Sequence, residues 1–156
     1  MLCFSADWHN PVQWSHYADK HKGVCLGFDV PDELLTRVRY TKMPPRLDWS
    51  AIDEGQTALG EAQMLRWLST KYVHWIYENE WRVFPSLETP DARGLYFKDF
   101  DSSLKLRQIL VGPMSPTTRA DVANALNGLE GVEAWKTRLA FRGYGVVRQL
   151  DSSMWH

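Results

Sequence analysis

The chain alternates short apolar runs with helical patterns, and each run is bounded by turn residues. Leu2-Cys3-Phe4-Ser5 reads as a short strand. Asn10-Pro11 then opens a helix, with Asn10 as N-cap, Pro11 in the first turn and Gln13 completing a capping pattern. The pattern predicts that this helix runs to about His21 and that Gly23 ends it. Trp14, Tyr17, Ala18 and His21 then form one stripe. Val24 to Val30 reads as a strand in which Gly27 permits a close backbone approach. Pro31 to Leu35 makes a helical turn, Val38-Arg39-Tyr40 an extended piece, and Met43 to Ile52 a loop. A helix is predicted from about Glu54 to Tyr72, with Leu59, Ala62, Leu65 and Leu68 along one side.

Beyond it, Arg82 to Leu87 and Gly94 to Phe97 are expected to pair as a hairpin. Leu106 to Val111 is a buried strand ended by Gly112-Pro113. Ser115-Pro116 is expected to cap a helix that runs to about Leu126 and closes near Gly128. Val132 to Leu139 and Tyr144 to Leu150 make the last two strands, turned at Arg142-Gly143. Residues 151–156 read as a loose tail. Strands and helices are mixed without a regular βαβ alternation. The expectation is therefore an α+β fold, residues 1–150 forming a single domain with a mainly antiparallel sheet and flanking helices.

Within this frame one stretch stands out, Trp75-Ile76-Tyr77-Glu78-Asn79-Glu80-Trp81-Arg82-Val83-Phe84. Read as a strand from Glu80, it puts Glu78, Glu80, Arg82 and Phe84 on one side and Trp81 and Val83 on the other. Charges in so apolar a run must pair, meet water or serve a ligand. Two acids at i and i+2 on a strand lie roughly 6–7 Å apart, close enough to perturb one another. Glu80 and Glu78 are thus candidate catalytic groups, one a base or cation stabiliser and the other positioning a hydroxyl. Arg82 could hold one carboxylate in a bidentate pair or bind substrate. A purely structural ion pair is the competing reading.

Composition narrows the function classes. With 156 residues the chain can bury a real core, and its net charge of −1 offers no bulk attraction for nucleic acid or an anionic membrane. No transmembrane-length apolar run and no secretory signal occur, and the only cysteines, Cys3 and Cys25, suit a reducing cytosol. The two short runs that hold them could be paired strands. A cytoplasmic location is expected. The five histidines lack metal-ligand spacing, so no metal is assigned, and neither a Gly-x-Ser-x-Gly elbow nor a glycine-rich phosphate loop is present. Eight tryptophans imply a large aromatic core, a stacking pocket, or both. Trp14, Tyr17 and His21 are accordingly read as a pocket wall or as core, and Ser5 as a ligand-binding hydroxyl or a local cap.

The blocks Cys3-Phe4-Ser5, Trp14-Ser15-His16-Tyr17-Ala18-Asp19, His21 to Phe28, Trp75 with Tyr77 to Arg82, and Ile109 to Pro113 follow one another in order. Together they resemble the bacterial family called domain of unknown function 2971, over residues 2 to about 113. The resemblance implies an N-terminal section ahead of the Cys-Phe-Ser strand, so a shortened member is expected here. A further similarity is to ADP-ribosyltransferases, in which a serine-bearing strand precedes a Glu-x-Glu strand. It implies Glu80 as the group that stabilises an oxocarbenium ion, Glu78 positioning an acceptor, Ser5 on the serine strand, and Trp14 and Tyr17 stacking on nicotinamide. NAD would be a substrate rather than a bound cofactor. The alternative is a non-catalytic module that meets a partner protein through an aromatic-rich surface. The oligomeric state is open.

Overall fold

The structure is a computed structural model that describes residues 1–46 and 60–156. It is α+β, and the chain divides into two compact units, one of Met1–Ala6 with Leu34–Ser86 and one of Asp7–Glu33 with Leu87–His156. Among the described residues no helix is long and apolar enough to cross a membrane.

The first unit is built on β1 (Leu2–Ser5), β3 (Thr36–Arg37), β4 (Arg39–Thr41), α2 (Glu61–Leu68), β5 (Thr70–Tyr72) and β6 (Glu80–Val83). Central β6 is flanked by β1 and β3, both antiparallel to it. The registers Ser5↔Glu80, Cys3↔Arg82 and Thr36↔Arg82 gather these polar side chains on one face. Phe4, Trp81 and Arg37 take the other face, with the Arg37 guanidinium 5.7 Å from the centre of the Trp81 ring. β4 and β5 pair in parallel, which sets Tyr40 beside Lys71.

Where a helix was expected through Tyr72, α2 stops at Leu68. The Ser69 and Thr70 hydroxyls donate to the carbonyls of Leu65 and Arg66, a local alternative to helix continuation. The predicted start of that helix, 54–59, lies outside the described residues, as does most of the predicted loop 43–52. A 3-10 helix, Val73–Glu78, then leads into β6 through Asn79, which sits in the left-handed region at φ 44°. Glu78 is therefore helical and not two places along a strand from Glu80.

The second unit holds α1 (Pro11–Tyr17), β2 (Val24–Asp29), β7 (Lys105–Val111), α3 (Arg119–Leu126), β8 (Glu133–Leu139) and β9 (Val146–Arg148). Its sheet has the order β2-β7-β8-β9, with β7 and β8 parallel and joined through α3. Among the described residues four strand pairings are antiparallel and two parallel, so the sheets are mixed. Trp14 and Ala18 pack with Leu110, Trp135 and Val146, while Ile109 and Val111 pack with Val122 and Trp155. β7 is thus buried on both faces, which is why it reads as an unbroken apolar run. The anticipated close approach at Gly27 is real: a Cβ there would sit 3.0 Å from that of Gln108, beside a bulge in the β2–β7 pairing.

Other expectations fail for local reasons. Helix α1 ends at Tyr17, because Asp19, Lys20 and His21 all take positive φ and their backbone turns back onto Trp14 and Ser15. The hairpin between residues 82 and 97 does not form. β6 ends at Val83, and the Asp91 carboxylate accepts from the N–H groups of Arg93 and Leu95, stabilising a turn there. Helix α3 is capped by Thr118, whose reciprocal box with Asp121 outcompetes Ser115. β1 and β2 join different sheets, so the runs holding Cys3 and Cys25 are not paired. The tail is docked, not loose: Trp155 is buried, its indole N–H donates to the Thr117 carbonyl, and Arg119 covers its ring.

Candidate functional site

The polar face of β6 carries a buried ion cluster inside the first unit. Arg82 grips Glu80 in a fork, Nε to Oε1 at 2.7 Å and Nη2 to Oε2 at 3.1 Å. Lys71 Nζ donates to Glu80 Oε2 at 3.0 Å and also to Glu78 Oε2. The remaining Arg82 Nη1 donates to the Leu68 carbonyl at the end of α2. Glu80 also offers its main-chain N–H to the Tyr40 hydroxyl at 2.9 Å. Ser5 Oγ donates to the Glu78 main-chain carbonyl at 2.7 Å, tying β1 to the 3-10 helix. Glu78, Glu80 and Arg82 are all buried, at 5 %, 5 % and 8 % exposure, which leaves little room for solvent or ligand on them.

Burial alone would raise the Glu80 carboxyl, but hydrogen bonds from Arg82, Lys71 and the Cys3 thiol outweigh it and bring it to about 2. Burial would lower Lys71, but its bonds to Glu78 and Glu80 leave it raised. Arg82 is raised by its bond to Glu80 and keeps its charge. Burial, reinforced by Glu80, pushes the Cys3 thiol up. Tyr40 is pushed up by burial as well. Glu80, Lys71 and Arg82 are therefore fixed charges at neutral pH. A carboxylate titrating near 2 with both oxygens occupied is a poor general base, although it remains a permanent anion.

This shift has a signed consequence. Glu80 ionises at about 2 when folded against an ordinary 4.5, so the unfolded chain takes up the proton first. Its contribution is present above about pH 5 and is lost as pH falls through 4.5 toward 2. Asp91, Asp101, Asp121 and Asp151 are held down by local hydrogen bonds too, so the quantity to measure is a difference. The gap in denaturation midpoint between wild type and Glu80→Gln is expected to be constant from pH 8 to about 5 and to close below it.

Glu78, Glu80, Arg82 and Ser5 come together as the sequence suggests, though Glu78 arrives from a helix. Trp14, Tyr17 and His21 belong to the second unit. Trp14 is core at 3 % exposure, its indole N–H bonded to the Trp8 carbonyl at 2.6 Å. Tyr17 is exposed. His21 lies in the left-handed turn, Nε2 3.2 Å from Ser15 Oγ, and its buried Nδ1 has no hydrogen-bond partner among the described residues. Sequence reasoning missed Lys71, Tyr40 and Cys3 as members of the cluster. Lys71 fell inside the expected helix, and the β4–β5 register that aims it and Tyr40 at Glu80 leaves no local signature. Among the described residues no group of three His, Cys, Asp or Glu could hold a metal ion.

Residues 13–83 match the model of a family described as Protein of unknown function (DUF2971). This span takes in α1 from Gln13 onward and every member of the charged cluster except Cys3 and Ser5, and it is shorter than the 2–113 expected from the resemblance. No curated protein and no solved structure matches the chain.

Proposed function

The chain carries a DUF2971 segment in residues 13–83, and we propose that it is a non-catalytic binding module that meets a partner protein through exposed aromatic and aliphatic surface. One observation carries the reading: Glu80, the best catalytic candidate, has both oxygens committed to Arg82 and Lys71 and is sealed from solvent. Such a carboxylate anchors β6 to β5 and α2. Exposed apolar side chains support the surface role, Met64, Leu65, Trp67 and Leu68 on α2 in one unit and Phe141, Tyr144 and Leu150 in the other. Two free thiols, Cys3 and Cys25, fit a cytoplasmic setting.

A second reading, an NAD- or nucleotide-handling site of ADP-ribosyltransferase type, is favoured by one feature. The β1–β6 register sets Ser5, the residue that the analogy puts on its serine strand, opposite Glu80. It requires Lys71 to leave Glu80 when the ligand enters, and Lys71 is the most exposed member of the ion pairs, with 24 % of its side chain accessible. Nicotinamide release from NAD separates the two. The expected result is no release above background from wild type or Glu80→Gln. Release by wild type that is abolished in a stably folded Glu80→Gln variant would overturn the binding-module reading in favour of the transferase.

A further inference from the structure

The turn between β8 and β9 in the second unit concentrates charge and aromatic surface that the fold does not use. Phe141 is 88 % exposed and Tyr144 fully exposed, at the tip of an otherwise well-formed antiparallel pair. Beside them lies a groove of about 490 Å3 lined by Arg138, Arg142 and Arg148 with Phe141, Val147 and Leu150. Two of the three guanidinium groups are held in place: Arg138 sits 4.5 Å from the Phe141 ring centre and donates to the Leu139 carbonyl, and Arg148 sits 4.7 Å from the Trp135 ring centre. Among the described residues none of the three has a carboxylate partner. Asp151, just beyond Leu150, turns its carboxylate onto the Ser153 N–H and hydroxyl instead.

Arg138 and Arg142 beside Phe141, Val147 and Leu150 form a surface complementary to acidic groups flanking an apolar side chain, while Arg148 lies with Trp135 on the opposite face of the β8–β9 pair. Exposed arginine and aromatic residues together are also the types that dominate binding energy at protein interfaces. We infer that this groove docks an acidic segment of a partner protein, with an apolar side chain on Phe141, Val147 and Leu150 and carboxylates on Arg138 and Arg142. The inference rests on the reading of the chain as a binding module and supplies the chemistry of its partner. Nucleic acid fits less well. The net charge of −1 adds no wider basic field to track a backbone.

Fluorescence polarisation tests this with a labelled peptide alternating glutamate and leucine, the same peptide with glutamine for glutamate, and a single-stranded oligonucleotide. Wild type should bind the acidic peptide at least ten-fold tighter than either other probe. Arg142→Gln should weaken it several-fold, while Arg148→Gln, on the opposite face, should change it less than two-fold. Both positions are exposed, and circular dichroism of the variants should match wild type. Equal binding of the two peptides, no binding, indifference to Arg142→Gln, or a preference for the oligonucleotide would each overturn the inference. Such a result would leave the binding-module reading standing, because that reading is tested separately by nicotinamide release.

Discussion

Glu80→Gln lowers the stability of the chain by about 3–5 kcal/mol at neutral pH, the expected cost of removing one partner from a buried ion pair. The physical reason is donor crowding. Arg82 sends two N–H groups and Lys71 one ammonium N–H at the two Glu80 oxygens. A glutamine amide supplies one oxygen and turns its NH2 toward the other donors, leaving a cation facing a cation-repelling group in a buried place. The loss should spread along the elements the cluster joins. Arg82 also holds the Leu68 carbonyl at the end of α2, and Lys71 also holds Glu78 at the end of the 3-10 helix. Urea denaturation of the two proteins at pH 7 measures the difference. A variant within about 0.5 kcal/mol of wild type, the range of an ordinary surface change, would show that the cluster is not an anchor.

Gly112→Ala destabilises by about 3–4 kcal/mol, at the upper end of what inserting a methyl group into a packed site costs. A Cβ at Gly112 would lie 2.3 Å from the His21 carbonyl oxygen and 2.7 Å from that of Gly23. Those are backbone atoms, and they cannot swing away as a side-chain tip would. They are also engaged, the Gly112 N–H bonding to the Gly23 carbonyl and the Met114 N–H to that of His21. Relief therefore means pulling the end of β7 off the left-handed turn of residues 19–21. Gly143→Ala is the control, since among the described residues no atom lies within 4 Å of its Cβ position, and it should be neutral within about 0.5 kcal/mol. Thermal melts of the two variants suffice. A Gly112→Ala protein as stable as the control would contradict the contact.

How far the sequence carried can be seen at particular places. β7 and the entry to β6 were legible because apolar periodicity and flanking Gly, Pro and Asn report local backbone preferences. The end of α1 was not. Trp14, Tyr17, Ala18 and His21 continue the helical period, but the chain leaves it in the left-handed turn at residues 19–21. In the region Leu68–Glu78 the helical pattern was carried through Thr70–Tyr72, although Thr and Tyr favour strands and pairing with β4 draws these residues into one. The charged triplet Glu78, Glu80 and Arg82 was legible as a group that must be satisfied. Its satisfaction by Lys71 was not, because that pairing depends on a parallel register between segments thirty residues apart. The docked tail was hidden similarly, since nothing local says that Trp155 reaches Val111 and Val122.

The most direct test of the account is a carbon-detected NMR titration of the Glu80 carboxyl, with and without added NAD. A sealed anchor predicts a midpoint near 2 that NAD leaves unchanged. A midpoint near the ordinary 4.5, or one that moves when NAD is added, would mean that Glu80 is open to a ligand and would contradict the account.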